Sequence, residues 1–420
     1  MRTPRIVIVG AGFGGLQTAQ SLANSGADVC LIDCNNYHTF VPLLYQVATS
    51  QLEPEYIAYP IRTIVRRFSG KRHKHKPKTR FLWAEVQRVD FSAQIVETDR
   101  CAIAYDFLVL ATGSKTKYLG VTGASEYAFP IRTLEAAVKL RNQILACLEL
   151  ASQESDPVLR EQLLTFTIVG GGATGVEMAG ALIEMLRGKF RRDYPTLDLQ
   201  QVRLILVQSG DRLLSELPKK LGVYTYKRLN NLGVEVYLQT RVSQVTKESV
   251  HLHNNEVIPT STVIWTAGLE ANSPETSEDI STAKKEKLLV HPTLQLLDQP
   301  NVYAIGDLAY IEQNGKPLAG VASEALQEGV AVARNIQQQL RGKSPKPFSY
   351  FNKGRLAIIG CYSGVGKIGN FAFTGFLAWV MWLGVHLVYL PGYRNRLLVL
   401  ITWLYTYLLG DRAVRLILPL

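Results

Sequence analysis

Two glycine clusters contain the residues best suited to chemistry. The first reads GAGFGG over residues 10–15, and the second reads GGGATG over residues 170–175. In each cluster the first glycine permits a tight turn, the second removes the side chain that would strike a phosphate, and the last lets a helix pack on a strand. The helix N-terminus then offers free amides and partial positive charge to an anion. The spacing therefore predicts two binding sites for the pyrophosphate of a dinucleotide.

A polar residue follows each glycine cluster at the end of the next predicted strand. Asp33 is placed to accept hydrogen bonds from ribose hydroxyls at the first site. Gln208 takes the corresponding position at the second site, where a neutral amide does not repel a 2′-phosphate and where Arg212 and Arg241 could offer it positive charge. This pattern predicts that the second site accepts NADPH alongside or ahead of NADH. The alternative, that Gln208 serves NADH through its amide oxygen, stays open.

Alternating strands and helices are expected to position both clusters. The predicted strands are residues 5–9, 27–32, 165–169 and 202–207, and the predicted helices are residues 16–25 and 176–187. Short, continuously apolar strands joined through a helix are typical of a buried parallel sheet. The sequence therefore predicts an α/β protein with two Rossmann-like domains, each built on a doubly wound parallel sheet. The glycine positions expected to bind cofactor are Gly10, Gly12, Gly14, Gly15, Gly170, Gly172 and Gly175.

Three further strand-and-turn segments are expected to end near a cofactor. They are residues 105–113, ending in Ala111, Thr112 and Gly113, residues 263–268, ending in Gly268, and residues 301–307, ending in Asp307. The turn before Asp307 can bring this carboxylate to the ribityl chain of a flavin, with the following helix aimed at the flavin ring. This favours FAD over NAD at the first site. An ordinary strand end with a helix N-cap is the alternative interpretation of Asp307.

The C-terminal part of the chain is apolar. Residues 371–390 contain no Asp, Glu, Lys or Arg over 20 positions, and residues 397–410 form a second uncharged stretch. A helix of this length measures about 30 Å, which is enough to cross a bilayer. Aromatic residues in the stretch also suit a helix that lies in the membrane–water interface. Two helices on the membrane face, a spanning helix and a tail buried in a homodimer are therefore the alternatives. The arginines that flank the two stretches are Arg394, Arg396, Arg412 and Arg415.

Composition narrows the partners and the compartment. The net charge of +11 indicates an anionic partner, either nucleic acid or anionic lipid. Basic residues crowd between positions 62 and 80, which predicts an exposed, mobile loop, but no nucleic-acid-binding module accompanies them. The five cysteines form no CxxC pair, which favours a reducing compartment. Because the first strand begins near residue 5, we expect no leader peptide and a catalytic body that faces the cytoplasm or stroma.

These motifs together resemble the type II NAD(P)H:quinone oxidoreductases, which are flavoproteins with two dinucleotide sites. The resemblance rests on both glycine clusters, on YHTFVPLLYQVA over residues 37–48, on YAIGD ending at Asp307, and on the apolar tail. It implies that FAD takes a hydride from NADH or NADPH and passes two electrons to a membrane quinone without pumping protons. It also favours two tail helices that lie on the membrane, with arginines meeting lipid phosphates, over a spanning helix. Pro42 and Leu43 are then expected to line the flavin and quinone side.

The resemblance implies the domain boundaries and three catalytic residues. The expected domains are an FAD-binding domain over 1–125 and 296–345, an NAD(P)H-binding domain over 126–295 and a membrane-anchoring region over 346–420. Glu177 is expected in the first turn of its helix, either beside the nicotinamide–flavin stack or as a simple stabiliser of the helix dipole. Lys353 matches a family lysine that could stabilise an anionic reduced flavin, although a solvated turn lysine is the alternative. Gln327 is the third expected catalytic residue.

A quinone-site signature of the family, AQxAxQ, is altered in this chain. Residues 322–327 read ASEALQ, so that Ser323 replaces the first glutamine, Glu324 follows it, and Gln327 is retained. The pocket is therefore expected to have more space and different hydrogen bonds. Together with Gln208, this resembles the cyanobacterial and plastid branch, whose enzymes act on naphthoquinones such as demethylphylloquinone. A helix-surface position remains the alternative for Gln327.

Other classes of protein stay open at this point. Disulphide reductases of this superfamily place a redox-active cysteine pair beside the flavin, and neither Cys30 nor Cys34 suits that role, so electrons are expected to leave the flavin directly. A sulfide:quinone reductase would need Cys147 and Cys361, and a ferredoxin- or rubredoxin-reductase-like enzyme would need a protein acceptor. A redox-sensing protein without turnover is the alternative from another class. We expect a quinone and the bilayer surface as partners, a homodimer as an option, and neither nucleic acid nor a metal.

Overall fold

The computed structural model describes residues 2–68, 79–188, 192–410, 412 and 414–417. The helices are α1 (Phe13–Leu22), α2 (Leu44–Ala48), α3 (Pro54–Ile57), α4 (Ile61–Phe68), α5 (Ala124–Tyr127), α6 (Leu134–Gln153), α7 (Pro157–Leu163), α8 (Ala173–Arg187), α9 (Lys219–Leu232), α10 (Ala322–Gln339), α11 (Phe376–Tyr389) and α12 (Tyr393–Leu409). Single turns of 3-10 helix include Val41–Leu43 and Gly306–Leu308.

Most strands are short. The first fifteen strands are β1 (Arg5–Val9), β2 (Asp28–Asp33), β3 (Tyr37–Thr39), β4 (Ala58–Pro60), β5 (Arg80–Trp83), β6 (Val86–Asp90), β7 (Ile95–Thr98), β8 (Ala102–Ala104), β9 (Phe107–Leu110), β10 (Ser114–Thr116), β11 (Ala128–Pro130), β12 (Thr165–Val169), β13 (Arg203–Val207), β14 (Val234–Tyr237) and β15 (Val242–Val245). The later strands are β16 (Ser249–Leu252), β17 (Val257–Pro259), β18 (Thr262–Trp265), β19 (Leu269–Ala271), β20 (Glu275–Thr276), β21 (Leu288–Leu289), β22 (Gln295–Leu296), β23 (Gln299–Ala304), β24 (Ala309–Tyr310), β25 (Glu312–Gln313), β26 (Lys316–Pro317), β27 (Arg355–Ile358), β28 (Gly364–Ile368) and β29 (Phe371–Gly375).

Two compact units share the chain. The first unit comprises Met1–His38, Tyr59–Lys115 and Leu269–Lys353, and the second comprises Thr39–Ala58, Thr116–Gly268 and Gly354–Leu420. These divisions differ from the expected boundaries at 125 and 295, because residues 39–58 and the apolar tail group with the second unit and residues 269–295 group with the first. The spacing of motifs does not indicate which segments pass from one unit to the other, because that depends on packing between residues distant in sequence.

The first unit is built on a six-stranded sheet in the order β22-β23-β9-β1-β2-β5. The strands from β23 to β5 are parallel, and β22 runs antiparallel at the edge. Side chains alternate along β1, so that Ile6 and Ile8 pack into the core on one face while Val7 and Val9 pack into the core on the other. Burial on both faces explains why β1 is continuously apolar. This sheet confirms the first predicted Rossmann-like fold.

The second unit repeats this arrangement with five parallel strands in the order β11-β18-β12-β13-β14. The central strand β12 pairs with β13 on one side and with β18 on the other, as β1 pairs with β2 and β9 in the first unit. Trp265 at the end of β18 packs with Val169 and Val207 in the core of this unit. The predicted α/β class with two parallel-sheet folds is therefore confirmed.

The apolar tail forms two helices rather than one long helix. Residues 371–375 of the uncharged run belong to strand β29, and α11 therefore contains 14 residues. Gly375, with φ of +78°, begins the turn from strand to helix, and Gly392, with φ of +82°, separates α11 from α12. Among the described residues, none of the helices combines the length and apolar character needed to cross a bilayer. The C-terminal helical segment is confirmed, and its length argues against the spanning alternative.

Two of the four flanking arginines, Arg394 and Arg415, are exposed. Arg394 is exposed, whereas Arg396 donates to the carbonyls of Val388 and Leu390 at the end of α11. Arg412 is buried and donates to the carbonyls of Thr49 and Ala181, and Arg415 pairs with a carboxylate of the same unit. The expectation that arginines of the tail meet lipid phosphates therefore stays a prediction for the exposed Arg394 and Arg415, whereas Arg412 is buried and binds backbone carbonyls of the protein.

The basic segment also differs from the expected loop. Residues 61–68 form helix α4, in which Ile61 and Val65 are buried while Arg66 and Arg67 are exposed. Apolar residues four positions apart place one face of this helix on the core of the first unit. Arg80 begins strand β5, and the lysine-rich residues 69–78 lie outside the described part of the chain.

Candidate functional site

The first glycine turn has the geometry that a pyrophosphate site requires. Gly10 has φ of +99°, and a Cβ atom there would lie 2.3 Å from the carbonyl oxygen of Ala111. A Cβ atom at Gly15 would lie 1.8 Å from the carbonyl oxygen of Gly10, so that neither position tolerates a side chain. A Cβ atom at Gly12 would meet nothing within 4 Å, and no side chain caps helix α1 there. Gly12 therefore combines open space with backbone amides of α1 that no side chain caps, and an anion requires both.

Gly14 has a packing role in this turn. A Cβ atom on Gly14 would lie 2.9 Å from the side chain of Ile305, and one on Gly329 would lie 2.6 Å from the carbonyl oxygen of Gly14. The hydroxyl of Thr18 donates to the carbonyls of Gly14 and Gly329, which fastens α1 to α10. The structure therefore shows Gly14 at a helix–helix contact.

Asp33 ends β2 directly beside the glycine turn. Its carboxylate accepts hydrogen bonds from the amides of Ala11, at 2.6 Å, and Asn35, at 2.8 Å. Burial raises the pKa of Asp33, and these amide hydrogen bonds oppose that effect. His38, which the sequence motifs do not indicate, approaches the carbonyl oxygen of Ala11 through Nδ1 at 2.9 Å, and burial lowers its pKa. The turn is thus held from both sides before any ligand arrives.

The second glycine turn reproduces the first. Gly170 has φ of +114°, and a Cβ atom on Gly175 would lie 1.9 Å from the carbonyl oxygen of Gly170, while one on Gly172 would meet nothing within 4 Å. Helix α8 likewise begins without a side-chain cap. The hydroxyl of Thr266 donates to the carbonyls of Val169 and Gly170 and so fixes the strand end.

Gln208 occupies the place that Asp33 has in the first unit. Its Oε1 accepts a hydrogen bond from the amide of Gly171 at 2.9 Å, and its Nε2 faces the carbonyl oxygen of Arg212 at 3.5 Å. The guanidinium of Arg212 donates to the carbonyl of Ser215, and Arg241 is exposed. The two units therefore share one backbone contact, which a carboxylate makes in the first and a neutral amide makes in the second.

Residues at the ends of β9 and β23 complete the polar edge of the first unit. The carbonyl of Ala111 packs on Gly10, and Gly113 has φ of +74°. The buried hydroxyl of Thr112 makes no hydrogen bond within the described part of the chain, which suits a ligand at this edge. Asp307 accepts a hydrogen bond from the hydroxyl of Ser114 at 2.7 Å. Gly268 lies in the second unit, where it packs on the backbone of residue 117.

Glu324 and Glu328 hold the turn before helix α10. Glu324 accepts hydrogen bonds from the amides of Gly320, at 2.7 Å, and Val321, at 3.1 Å, so that its carboxylate caps its own helix. Glu328 accepts a hydrogen bond from the amide of Gly306 at 2.6 Å, beside Asp307. Burial raises the pKa of Glu328 to about 7. Glu324 therefore faces the backbone, and Glu328 is a buried carboxyl group that the sequence motifs do not identify.

The altered quinone signature contacts Tyr350 and Phe351 in the first unit. The hydroxyls of Ser323 and Tyr350 lie 2.9 Å apart. Gln327 donates to the carbonyl of Phe351 through Nε2 and accepts from the amide of Phe351 through Oε1, both at 3.0 Å. Gln327 thus fastens the segment that leads to the exposed Lys353. Ser323, Gln327 and Tyr350 are brought together, whereas Pro42 and Leu43 lie in the 3-10 turn of the second unit, with Leu43 buried.

Glu177 is not a first-turn residue. It is the fifth residue of α8, is buried, and lies beyond the turn where the helix dipole stabilises a carboxylate. Its Oε1 accepts hydrogen bonds from Trp382 Nε1 at 2.9 Å and from the amide of Ile358 at 3.4 Å. Burial raises the pKa of Glu177 to about 8, so that the group holds a proton at neutral pH. The simple dipole stabiliser is therefore the wrong interpretation.

None of the five cysteines takes part in a disulphide bond. All five are free, with Cys30 buried and Cys34 exposed in the first unit. Cys147 contacts the hydroxyl of Thr262 at 3.4 Å, while Cys361 donates its amide to Glu184 and its thiol has a pKa raised by burial. In the described ranges no three His, Cys, Asp or Glu side chains group as a metal site.

Comparison with known proteins gives the same family as the motifs. Residues 4–329 match the family profile of the pyridine nucleotide-disulphide oxidoreductases. The type II NADH:quinone oxidoreductase Ndh of Mycobacterium tuberculosis is 34% identical over 429 residues, covering 98% of this chain and 90% of the relative. The internal alternative NAD(P)H-ubiquinone oxidoreductase A1 of Arabidopsis thaliana mitochondria is 28% identical, covering 97% and 84%.

Solved structures with this fold include two quinone reductases. NDH2 of Plasmodium falciparum, solved in complex with NADH, superposes with a TM-score of 0.89 at 21% identity and covers 98% of this chain and all of its own. The sulfide:quinone oxidoreductase of Aquifex aeolicus superposes with a TM-score of 0.74 at 18% identity and covers 94% and 92%. At these identities the likeness shows the fold alone. With the family profile and the mycobacterial relative, the chain therefore belongs to the pyridine nucleotide-disulphide oxidoreductase family and, within it, to the type II NADH:quinone oxidoreductases.

Proposed function

We propose that this chain is an FAD-dependent NAD(P)H:quinone oxidoreductase that does not pump protons. The observation that carries the proposal is the repeated glycine turn: each unit has an open position at the second glycine, an uncapped helix N-terminus and a polar strand-end residue. Two such turns suit a pair of dinucleotides. The names of the mycobacterial and plant relatives support a nicotinamide donor and a quinone acceptor.

FAD is assigned to the first unit. The amides at the start of α1 would hold the pyrophosphate, Asp33 would accept from ribose hydroxyls, and Asp307 with Ser114 would hold the ribityl chain. The buried hydroxyl of Thr112, which lacks a partner among the described residues, supports a ligand at the same edge. When bound, FAD supplies hydride acceptance from the nicotinamide and two-electron transfer to the quinone.

The nicotinamide dinucleotide is assigned to the second unit. Gly172 leaves room for the pyrophosphate, and Gln208 stands where a carboxylate would repel a 2′-phosphate. Oε1 of Gln208 accepts from the amide of Gly171 and Nε2 lies 3.5 Å from the carbonyl oxygen of Arg212, so that a neutral side chain stands at the strand end where the ribose is expected. This arrangement supports acceptance of NADPH as well as NADH.

The acceptor is proposed to be a quinone, specifically a naphthoquinone. Cys30 and Cys34 lie in different surroundings, which supports a direct path from flavin to acceptor without a thiol carrier. Ser323 replaces the longer amide of the family signature, which leaves more room at this position, and its hydroxyl lies 2.9 Å from that of Tyr350. Lys353 is assigned to the reduced flavin, and Pro42 with Leu43 to the quinone entrance. Glu177, protonated at neutral pH, is assigned as a proton source for the quinone, which takes up two protons on reduction.

The chain is proposed to lie on the bilayer surface through α11 and α12, with its catalytic body on the cytoplasmic or stromal side. The residues Leu397, Ile401, Leu404 and Leu408 are all exposed and recur every three or four positions along α12. Phe376, Val380 and Val388 are exposed along α11. Large exposed apolar faces of this kind are typical of membrane contact. The tail favours a lipid-soluble acceptor over a soluble protein acceptor.

A steady-state assay tests the proposed function. The full chain is purified from membranes, its flavin is quantified after denaturation, and oxidation of NADH and NADPH is followed with and without a soluble naphthoquinone, a benzoquinone and ferredoxin. We expect rapid oxidation that depends on the naphthoquinone. Oxidation that depends on ferredoxin alone would refute the proposal.

A further inference from the structure

The surroundings of Glu177 contain a donor that no motif indicates. Trp382 lies on α11, 205 positions after Glu177 in the sequence, and its indole N–H donates to Oε1 of Glu177 at 2.9 Å. The second donor, the amide of Ile358, reaches the same oxygen over the longer distance of 3.4 Å. In the described part of the chain, Oε2 accepts no hydrogen bond and is the oxygen free to hold the proton.

The indole ring of Trp382 packs against the rings of His386, Tyr45 and Trp403. The imidazole of His386 stacks on it with ring centroids 3.8 Å apart and planes 22° apart, and His386 Nδ1 lies 2.7 Å from the carbonyl oxygen of Trp382. The ring of Tyr45 meets it edge-on with centroids 6.1 Å apart. Burial lowers the pKa of His386 to about 4, so that the stacked imidazole is neutral. A clamped ring keeps its N–H aimed at one oxygen.

An indole N–H is a hydrogen-bond donor only. Because the ionised carboxylate is charged, the N–H bonds more strongly to it than to the oxygen of a neutral carboxyl group. We propose that Trp382 is a positioning residue for Glu177: its N–H orients the carboxyl group, favours the ionised form against the cost of burial, and sets the pH range in which Glu177 holds a proton. The helix that is proposed to lie on lipid therefore also supplies the donor that governs this buried acid. The inference rests on the proposed function only in the kcat measurement, because the infrared titration needs no turnover.

Other titratable groups around Glu177 act in a different way. Tyr45 on α2 has a pKa raised by burial and by the charge of Glu177. Tyr407 on α12 and Arg412 in the tail act on Tyr45, with effects of opposite sign on its pKa. The pKa of Glu177 itself is changed by burial and by its two hydrogen-bond donors. Removal of the Trp382 donor is therefore the cleanest way to change its titration.

The test is an infrared pH titration of the purified, flavin-loaded full chain. The carbonyl stretch of protonated Glu177 is identified by its absence in Glu177→Gln, and its midpoint is compared between the wild type and Trp382→Phe. A hydrogen bond to a charged group is worth enough to predict an upward shift of about one pH unit, or about 1.4 kcal/mol. The alkaline limb of the kcat profile with a soluble naphthoquinone should move upward by the same amount.

Two tryptophans of the same unit serve as matched controls. Trp403 is equally buried and donates to Gln46 Oε1 at 2.8 Å, which is a neutral acceptor. Trp379 is buried, and its indole N–H has no partner among the residues the structure describes. Trp403→Phe and Trp379→Phe remove the same ring and should leave the midpoint of Glu177 unchanged.

If Trp382→Phe does not fold, benzothienylalanine at position 382 keeps the bicyclic ring and removes only the donor. An unchanged midpoint in this variant, or an equal shift in Trp379→Phe, would overturn the inference. A shifted midpoint in a protein that fails to reduce any quinone would support the role of Trp382 and refute the proposed function instead. The two ideas therefore fail separately.

Discussion

Substitution of Gln208 by glutamate should lower the activity of the second nucleotide site with NADPH relative to NADH. Glutamate has the same side-chain length, and its carboxylate can accept the hydrogen bond that Gly171 now donates to Gln208 Oε1 at 2.9 Å. The first unit shows that a carboxylate fits this contact, since Asp33 accepts from Ala11 at 2.6 Å. The turn should therefore remain intact, and besides the added charge only the 3.5 Å contact of Gln208 Nε2 with the carbonyl oxygen of Arg212 is lost.

The size of the effect follows from Coulomb repulsion. Two unit charges about 5 Å apart repel by roughly 3 kcal/mol at an effective dielectric constant near 20. Gln208 is only half-buried, and screening by solvent lowers this repulsion by about half. The ratio of kcat/KM for NADH over NADPH should therefore rise by about tenfold, which corresponds to about 1.4 kcal/mol.

Steady-state kinetics with both nucleotides and one soluble quinone measure this ratio. Gln201→Glu adds the same charge at an exposed position of the same unit and should leave the ratio within about twofold of the wild type. If Gln208→Glu behaves like this control, Gln208 does not face the 2′ position and our reasoning about NADPH is wrong.

Three further predictions follow from the structure. Gly15→Ala should yield protein without flavin, because its Cβ atom would lie 1.8 Å from the carbonyl oxygen of Gly10. Gly175→Ala should yield flavin-loaded protein that NADH no longer reduces, because its Cβ atom would lie 1.9 Å from the carbonyl oxygen of Gly170. Stability of the wild type in thermal unfolding should fall between about pH 5 and about pH 8, because native Glu177 binds its proton more tightly than the unfolded chain does, and Glu177→Gln should flatten this fall. Leu404→Asp with Leu408→Asp should release the folded, flavin-loaded protein from lipid vesicles in a flotation assay.

Matched variants give these predictions a reference. Gly384→Ala places a Cβ atom in open space and should leave flavin content and reduction unchanged. Glu216→Gln, an exposed carboxyl that pairs with Arg355, should leave the fall in stability with pH in place. Leu150→Asp adds charge at an exposed leucine of α6 and should leave the protein on vesicles. Equal behaviour of a test variant and its reference would contradict the corresponding role.

Local constraints made the nucleotide turns predictable from sequence. Gly10 and Gly15 are required because backbone atoms of neighbouring residues occupy the space of a side chain, and such short-range requirements leave a pattern in the sequence. The strand-end positions of Asp33 and Gln208 follow from the same local order of elements. The parallel sheets were predictable because strands such as β1 are apolar on both faces.

Long-range contacts were not predictable in this way. The hydrogen bond between Trp382 and Glu177 joins α11 to α8. The sequence alone indicates only a first-turn position for Glu177, beside the nicotinamide–flavin stack or at the helix dipole, because the nearby glycine cluster is the only visible signal. The same applies to His38, which contacts the glycine turn, and to Arg412, which is buried although it follows the apolar tail. The uncharged run looked like one helix, whereas pairing of β29 with β28 removes its first residues from α11.

An anaerobic reductive titration tests the central claim most directly. NADH is added stepwise to the purified chain while the flavin absorbance is followed, and a naphthoquinone is then added to the reduced protein. We predict that one NADH per chain bleaches the flavin completely and that one quinone restores it, since two electrons are held and no thiol pair takes part. A chain that is colourless, or one that takes up four electrons before it is fully reduced, would contradict the account.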